Sequence, residues 1–151
     1  MMNNLILQFV YATLATLGFA LIFRVPGKET PVCAFIGAIG WMGYQLTIYT
    51  GFTSVMACFI GACMVALLSD IFSKLMKDAA TIFIIPGIMC LVPGAGMYRM
   101  MLCLIHNDID GFAMEATQTL LAAGAIAVGL LVMGSLLRII RMITRKIKTA
   151  F

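Results

Sequence analysis

Residues 84–99 read Ile84-Ile85-Pro86-Gly87-Ile88-Met89-Cys90-Leu91-Val92-Pro93-Gly94-Ala95-Gly96-Met97-Tyr98-Arg99, placing two Pro-Gly pairs seven residues apart inside one apolar segment. Each proline removes a backbone donor and its ring crowds the preceding turn, while each glycine admits conformations that other residues resist. The spacing predicts a helix that cannot run straight. In hydrocarbon, the freed amides and carbonyls must find protein, water or ligand, so such breaks occur where the chain is buried in protein or lines a cavity.

The rest of the chain supplies that hydrocarbon setting. Its 151 residues are 63% hydrophobic and 11% charged, against about 25% charged in soluble domains, and the mean hydropathy is +1.09. This excludes an ordinary soluble globular domain. Windows 1–23, 30–69, 79–98 and 116–137 contain no Lys, Arg, Asp or Glu. A bilayer crossing takes about 20 residues, and the second window is long enough for two, with Thr50-Gly51-Phe52-Thr53 as a turn near its middle. Five spans are expected, over about 4–23, 31–50, 53–73, 80–105 and 112–137. The continuous apolar runs lack the alternation of barrel strands. The expected class is therefore an all-α polytopic membrane protein, a single transmembrane domain over residues 1–151 with no room for a second folded domain. Met1-Met2-Asn3-Asn4 offers no positive n-region, so the first apolar run is expected to remain as a helix.

Counting charges orients the bundle. With five spans and the C-terminus inside, Arg24, Lys28, Lys74, Lys77, Arg138, Arg141, Arg145, Lys146 and Lys148 all fall on the cytoplasmic side. The other side receives Asn3, Asn4, the Thr50–Thr53 turn and His106-Asn107-Asp108-Ile109-Asp110. The expected topology is N-out and C-in. The basic tail from Arg138 to Lys148 reads as an anchor on anionic lipid, not a nucleic-acid site.

Arg99 is the one basic residue without a cytoplasmic end. It stands about one turn beyond Gly94-Ala95-Gly96, where a second half-helix is expected to begin with its free N–H groups facing the break. A positive dipole end beside a guanidinium favours an anion, and transporters use half-helix ends in this way. Tyr98 can add a hydroxyl donor. The candidate binding residues are Gly94, Ala95, Gly96, Tyr98 and Arg99, with Pro86, Gly87 and Pro93 shaping the break.

The segment Pro86–Gly94, continuing to Tyr98-Arg99, resembles the signature of the threonine/serine exporter (ThrE-like) family. The whole chain is similar to the small, YjjB-type subunit of its split two-gene branch, the partner of a larger YjjP-type membrane subunit. The resemblance implies a subunit of a bacterial inner-membrane secondary exporter of small carboxylates, threonine and serine or succinate, working as a hetero-oligomer without a cofactor. It carries over Pro86, Gly87, Pro93, Gly94, Tyr98 and Arg99. An odd number of spans also cannot hold two equal inverted halves, which points independently to a second chain. The alternative is a non-transporting subunit that only stabilises its partner.

Other candidates are weaker. Cys33, Cys58, Cys63, Cys90 and Cys103 lack CxxC spacing and read as packing residues. His106, Asp108 and Asp110 make a poor metal set, and Asp108 or Asp110 is better read as the cap of the last helix. Asp70, four residues before Lys74, and Glu115 are candidate proton-coupling carboxylates. Gly37, Gly40 and Gly43, and Ala123, Ala127 and Gly134, read as close-packing positions. Trp41, Tyr44, Gln45 and Tyr49 read as interfacial, with Gln45 a weak candidate for the substrate path. With no P-loop and no nucleophile–base pair, neither ATP coupling nor enzymatic activity is expected.

Overall fold

Side-chain caps mark the starts of two of the helices, those that begin at Ser54 and at Ile109. Six helices are present in the computed structural model, which describes the backbone of residues 2–150 and the side chains of residues 5–143: α1 Met2–Ile22, α2 Thr30–Tyr49, α3 Ser54–Met76, α4 Ala80–Ile88, α5 Gly94–Ile105 and α6 Ile109–Ala150. There is no strand among the described residues. The α2–α3 turn forms where expected, with Gly51 at φ 87°, a left-handed conformation that glycine adopts without a Cβ penalty. Thr53 Oγ1 then accepts from the Met56 amide at 3.4 Å and caps α3. Asp108 Oδ1 accepts from the Gly111 amide at 2.9 Å, which settles the cap of α6 on Asp108.

Four helices are long and apolar enough to cross a membrane unaided, over Leu5–Ile22, Thr30–Tyr49, Ser54–Met76 and Ile109–Ile143. They stand in a row in which α2 lies between α1 and α3, and α3 between α2 and α6. Short connections reverse the direction from α1 to α2 and from α2 to α3, and α4 with α5 carries the chain back so that α6 runs parallel to α3, with Cys63 beside Gly129 and Asp70 beside Arg141. Arg24, Lys28, Lys74, Lys77, Arg138 and Arg141 therefore gather at one end of the bundle, and Asp108 and Asp110 stand at the other. Arg141 donates to Asp70, which also pairs with Lys74 at 2.5 Å, fastening α3 to α6 at the basic end. The side chains of Arg145, Lys146 and Lys148 lie outside the described residues. At 42 residues α6 is about 63 Å long, so it runs well past position 137 and continues beyond a hydrocarbon core of about 30 Å.

The helices approach closely over small residues. A methyl on Gly37 would fall 2.3 Å from Thr16 Oγ1 of α1, and one on Gly61 would fall 3.0 Å from the Gly40 carbonyl, so α2 meets both neighbours through its glycine face as the spacing of three predicts. On α6 the packing face differs from the expected one. Thr119, Ala122, Ile126 and Gly129 are buried, whereas Ala127 is exposed and nothing lies within 4 Å of a Cβ on Gly134. An apolar helix with no polar stripe gives no indication of which side a neighbour will take.

The fourth hydrophobic segment is divided, but the first Pro-Gly pair does not take part in the break. Pro86 and Gly87 lie inside α4, and the helix parts only over Met89–Pro93. Pro86 cannot donate to the Ile82 carbonyl, and Cys33 Sγ on α2 donates to it instead at 3.5 Å. Gly87 lets α4 sit against Val65 and Ile36, which would lie 3.1 and 3.3 Å from an added Cβ. The first Pro-Gly pair is thus a docking surface with its backbone loss compensated. Cys33→Ala is expected to lower stability in detergent by about 1 kcal/mol. Cys33→Ser, which keeps a donor, should recover most of it, as read from thermal unfolding of the two variants.

Candidate functional site

The two pieces of the broken segment pack on different partners, and a cavity opens where they part. α4 lies against α2 and α3, with a lighter contact to α1, whereas α5 packs on α6 alone among the described elements. Between them, Leu91 drops into the α2–α3 crossing, its Cδ atoms 3.0 and 3.2 Å from where a Cβ on Gly61 would stand. Cys90 Sγ lies 3.0 Å from Thr16 Oγ1 and 3.6 Å from the Ala12 carbonyl, which tethers the break to α1. The break turns back on itself through Leu91 N–H to the Ile88 carbonyl at 2.8 Å and Gly94 N–H to the Val92 carbonyl at 2.8 Å.

The cavity beneath the break has a volume of about 340 Å³, within the range of small-molecule sites. One wall is the break and the start of α5, from Cys90 to Gly96, with Arg99 one turn on. Trp41 and Tyr44 of α2 and Ser54 and Cys58 of α3 form the opposite wall, and α6 closes it with Glu115, Gln118, Thr119 and Ala122. All of these positions lie in the half of the bundle nearer the acidic end. The Trp41 and Tyr44 rings stack at 5.2 Å, and the Tyr44 hydroxyl is 3.1 Å from Ser54 Oγ. A second hollow of about 310 Å³, bounded by Gln8, Tyr11, Ala12 and Ala15 of α1, shares Trp41 and Cys90 with the first.

Arg99 Nε donates to Glu115 Oε2 at 3.0 Å, and these two are the charged side chains of the cavity lining. The side chains are 58% and 28% exposed, so water screens the pair and its value lies in placement more than in stability. α5 begins with no side-chain cap, and Gly94 spends its amide on Val92, leaving the Ala95 and Gly96 amides as the donors at the helix start. Gly96 is buried under Thr119, whose Oγ1 would lie 2.4 Å from an added Cβ, so this glycine holds α5 close to α6. The arrangement presents a guanidinium, helix-terminal amides and neutral hydroxyls to one small space, beside a carboxylate.

Of the candidates read from the sequence, Arg99, Gly94, Ala95, Gly96, Pro93 and Glu115 converge on this cavity. Tyr98 does not line it and is 66% exposed. Pro86 lines a different hollow, with Phe23 and Arg24 toward the basic end, and Gly87 is buried against α2 and α3. Asp70 stands at the basic end, held by Lys74 and Arg141. Sequence reasoning missed Trp41, Tyr44, Ser54, Gln118 and Thr119 as lining residues. The spacing of Trp41 and Tyr44, three apart on one face of α2, could have shown that they act together.

Long apolar helices packed around a cavity at a broken helix define a polytopic helical membrane protein. Residues 8–136 match the family model described as Threonine/Serine exporter, ThrE, and the chain belongs to that family. It is 26% identical over 143 residues to an uncharacterized protein of Haemophilus influenzae, an alignment covering 89% of this chain and 48% of that protein. The chain thus spans about half the length of this relative. No solved structure matches it.

Proposed function

We propose that this chain is the small, YjjB-type half of a secondary exporter in the bacterial inner membrane. In this reading it has five spans, N-out and C-in, with α4 and α5 together forming the fourth, and it binds small carboxylates, serine and threonine or succinate, at the cavity under the break. The observation that carries the reading is the convergence of the Ala95 and Gly96 amides and Arg99 on one cavity of about 340 Å³, since helix-start amides and a guanidinium both favour a carboxylate. The charge distribution supports the orientation, with the described basic residues other than Arg99 at one end. The alignment covers about half of the Haemophilus relative, and in this reading a larger, YjjP-type partner supplies the other half. Rocking of the broken helix against partner helices would alternate access, and proton coupling would involve Glu115 or Asp70.

The test is efflux of serine, threonine and succinate from cells that make this chain with its larger partner. Gly94 lines the cavity with nothing within 4 Å of an added Cβ, so Gly94→Trp fills the space without displacing packed atoms. It is expected to stop efflux while leaving the complex assembled. Gly124→Trp, at an equally open glycine away from the cavity, should leave efflux unchanged. Loss of assembly with Gly94→Trp, and normal turnover in whatever complex forms, would favour the purely stabilising subunit instead.

A further inference from the structure

We propose that the hollow at the basic end, between the α1–α2 connection and α4, holds an anionic phospholipid of the cytoplasmic leaflet. This rests on the orientation given above, with the basic end inside, and not on what the protein exports. The hollow has a volume of about 400 Å³. Phe23, Arg24 and Val25 bound one side of it, and Thr81, Ile85 and Pro86 the other. Arg24 and Thr81 are its polar side chains, and no acidic group lines it. Among the described residues the Arg24 guanidinium makes no ion pair and the Thr81 hydroxyl no hydrogen bond. Glu29, later in the same connection, does not neutralise Arg24, for it is 7% exposed and unpaired. Lys28, Lys77 and the half-buried Asp78 stand at the same end but outside the lining.

The two kinds of lining lie at different depths. Arg24 follows the end of α1 and Thr81 is the second residue of α4, so both stand at the rim, where the helices leave the hydrocarbon. Ile85, one turn further along α4, is about 6 Å deeper. Phe23 and Ile85 remain exposed, whereas Pro86 is buried and closes the inner side, so the hollow opens outward to lipid. A soluble anion would meet one cation and a mostly apolar wall. A phospholipid matches both parts, its phosphate on Arg24 and Thr81 and its acyl chain along Phe23 and Ile85. Basic pockets between helices on the cytoplasmic side suit acidic headgroups for this reason. The backbone makes Arg24 easy to test. It closes α1 in the left-handed region at φ 53°, with its N–H on the Leu21 carbonyl and the Val25 N–H on the Ala20 carbonyl, both at 3.0 Å. Glycine commonly fills this position and carries no Cβ penalty there. Arg24→Gly therefore removes the guanidinium while easing the backbone.

The experiment takes the protein from its membrane in an uncharged detergent, with any subunit that copurifies, and follows the thermal midpoint during titration with phosphatidylglycerol, phosphatidylcholine or inorganic phosphate. Phosphatidylglycerol is expected to raise the midpoint by several degrees, and the other two to leave it unchanged. Arg24→Gly should be at least as stable as wild type without lipid. It should need about tenfold or more phosphatidylglycerol for the same rise, the loss expected for a charge-assisted hydrogen bond. Arg138→Gln, which removes an equal charge from α6 at the same end, should keep the wild-type response. An equal loss in Arg138→Gln, or a wild-type response in Arg24→Gly, would assign the effect to the basic surface at large and overturn the proposal. An equal rise with phosphatidylcholine would leave only apolar packing, and a rise with phosphate alone would make this a soluble-anion site; either overturns it. So does the absence of any rise, whether no lipid binds or a partner subunit covers the hollow. Efflux is not read in any arm, so each of these failures leaves the exporter reading standing, and failure of that reading leaves the lipid response to be judged by itself.

Discussion

Arg99→Ala is expected to lower carboxylate efflux roughly 10- to 100-fold at unchanged abundance of the assembled complex. The magnitude follows from the loss of charge-assisted hydrogen bonds, each worth about 1.5–3 kcal/mol, to a ligand that nothing else in the lining can pair as an ion. Assembly should survive, because the side chain is 58% exposed and its partner Glu115 retains access to water. Arg99→Lys should recover part of the rate, since a point charge remains, but lose the planar fork that can engage a carboxylate with two donors. Efflux per assembled complex checks both variants, and an Arg99→Ala complex that exports at the wild-type rate would remove Arg99 from the mechanism.

Gly129→Leu is expected to be the most damaging change to the fold. A Cβ at this position would stand 2.9 Å from the Phe59 carbonyl oxygen and 3.1 Å from Ala62 Cβ, and the first obstacle is backbone that cannot rotate away. Cys63 Sγ also donates to the Gly129 carbonyl at 3.5 Å, so the contact is bonded as well as close. Pushing α6 off α3 uncovers Ala122 and Ile126 and pulls Arg141 from Asp70, and the distortion reaches the cavity wall at Thr119. Overpacking alone costs about 1–3 kcal/mol, and the upper end applies where backbone blocks relief. The thermal midpoint in detergent should fall by several degrees, while Gly134→Leu, with open space around it, should leave the midpoint unchanged.

Much of this architecture can be read from where charge is missing. The uncharged windows locate α1, α2, α3 and α6 to within a few residues, except that α6 runs on well past 137, and Gly51 and Asp108 mark their own turn and cap. Arg99 is legible because a lone cation away from the basic end needs a reason. Its neighbour Tyr98 falls outside the lining because one residue is about 100° around a helix, enough to carry a side chain from the cavity to the outside. Leu91 was invisible as one apolar residue among many, although it anchors the break over Gly61. The pairing of Arg99 with Glu115 depends on α5 folding back along α6, a tertiary fact that no spacing encodes.

That fold-back has an electrical consequence. Arg99 and Glu115 both ride on the α5–α6 hairpin, so any displacement of the hairpin carries a cation and an anion together. Moving one unpaired elementary charge through a membrane potential involves about 2.3 kcal/mol per 100 mV. A hairpin that moves these two charges as a couple carries no net charge at this site, so any gating charge on it would have to come from elsewhere along its length, from groups such as Asp110, Arg138 and Arg141.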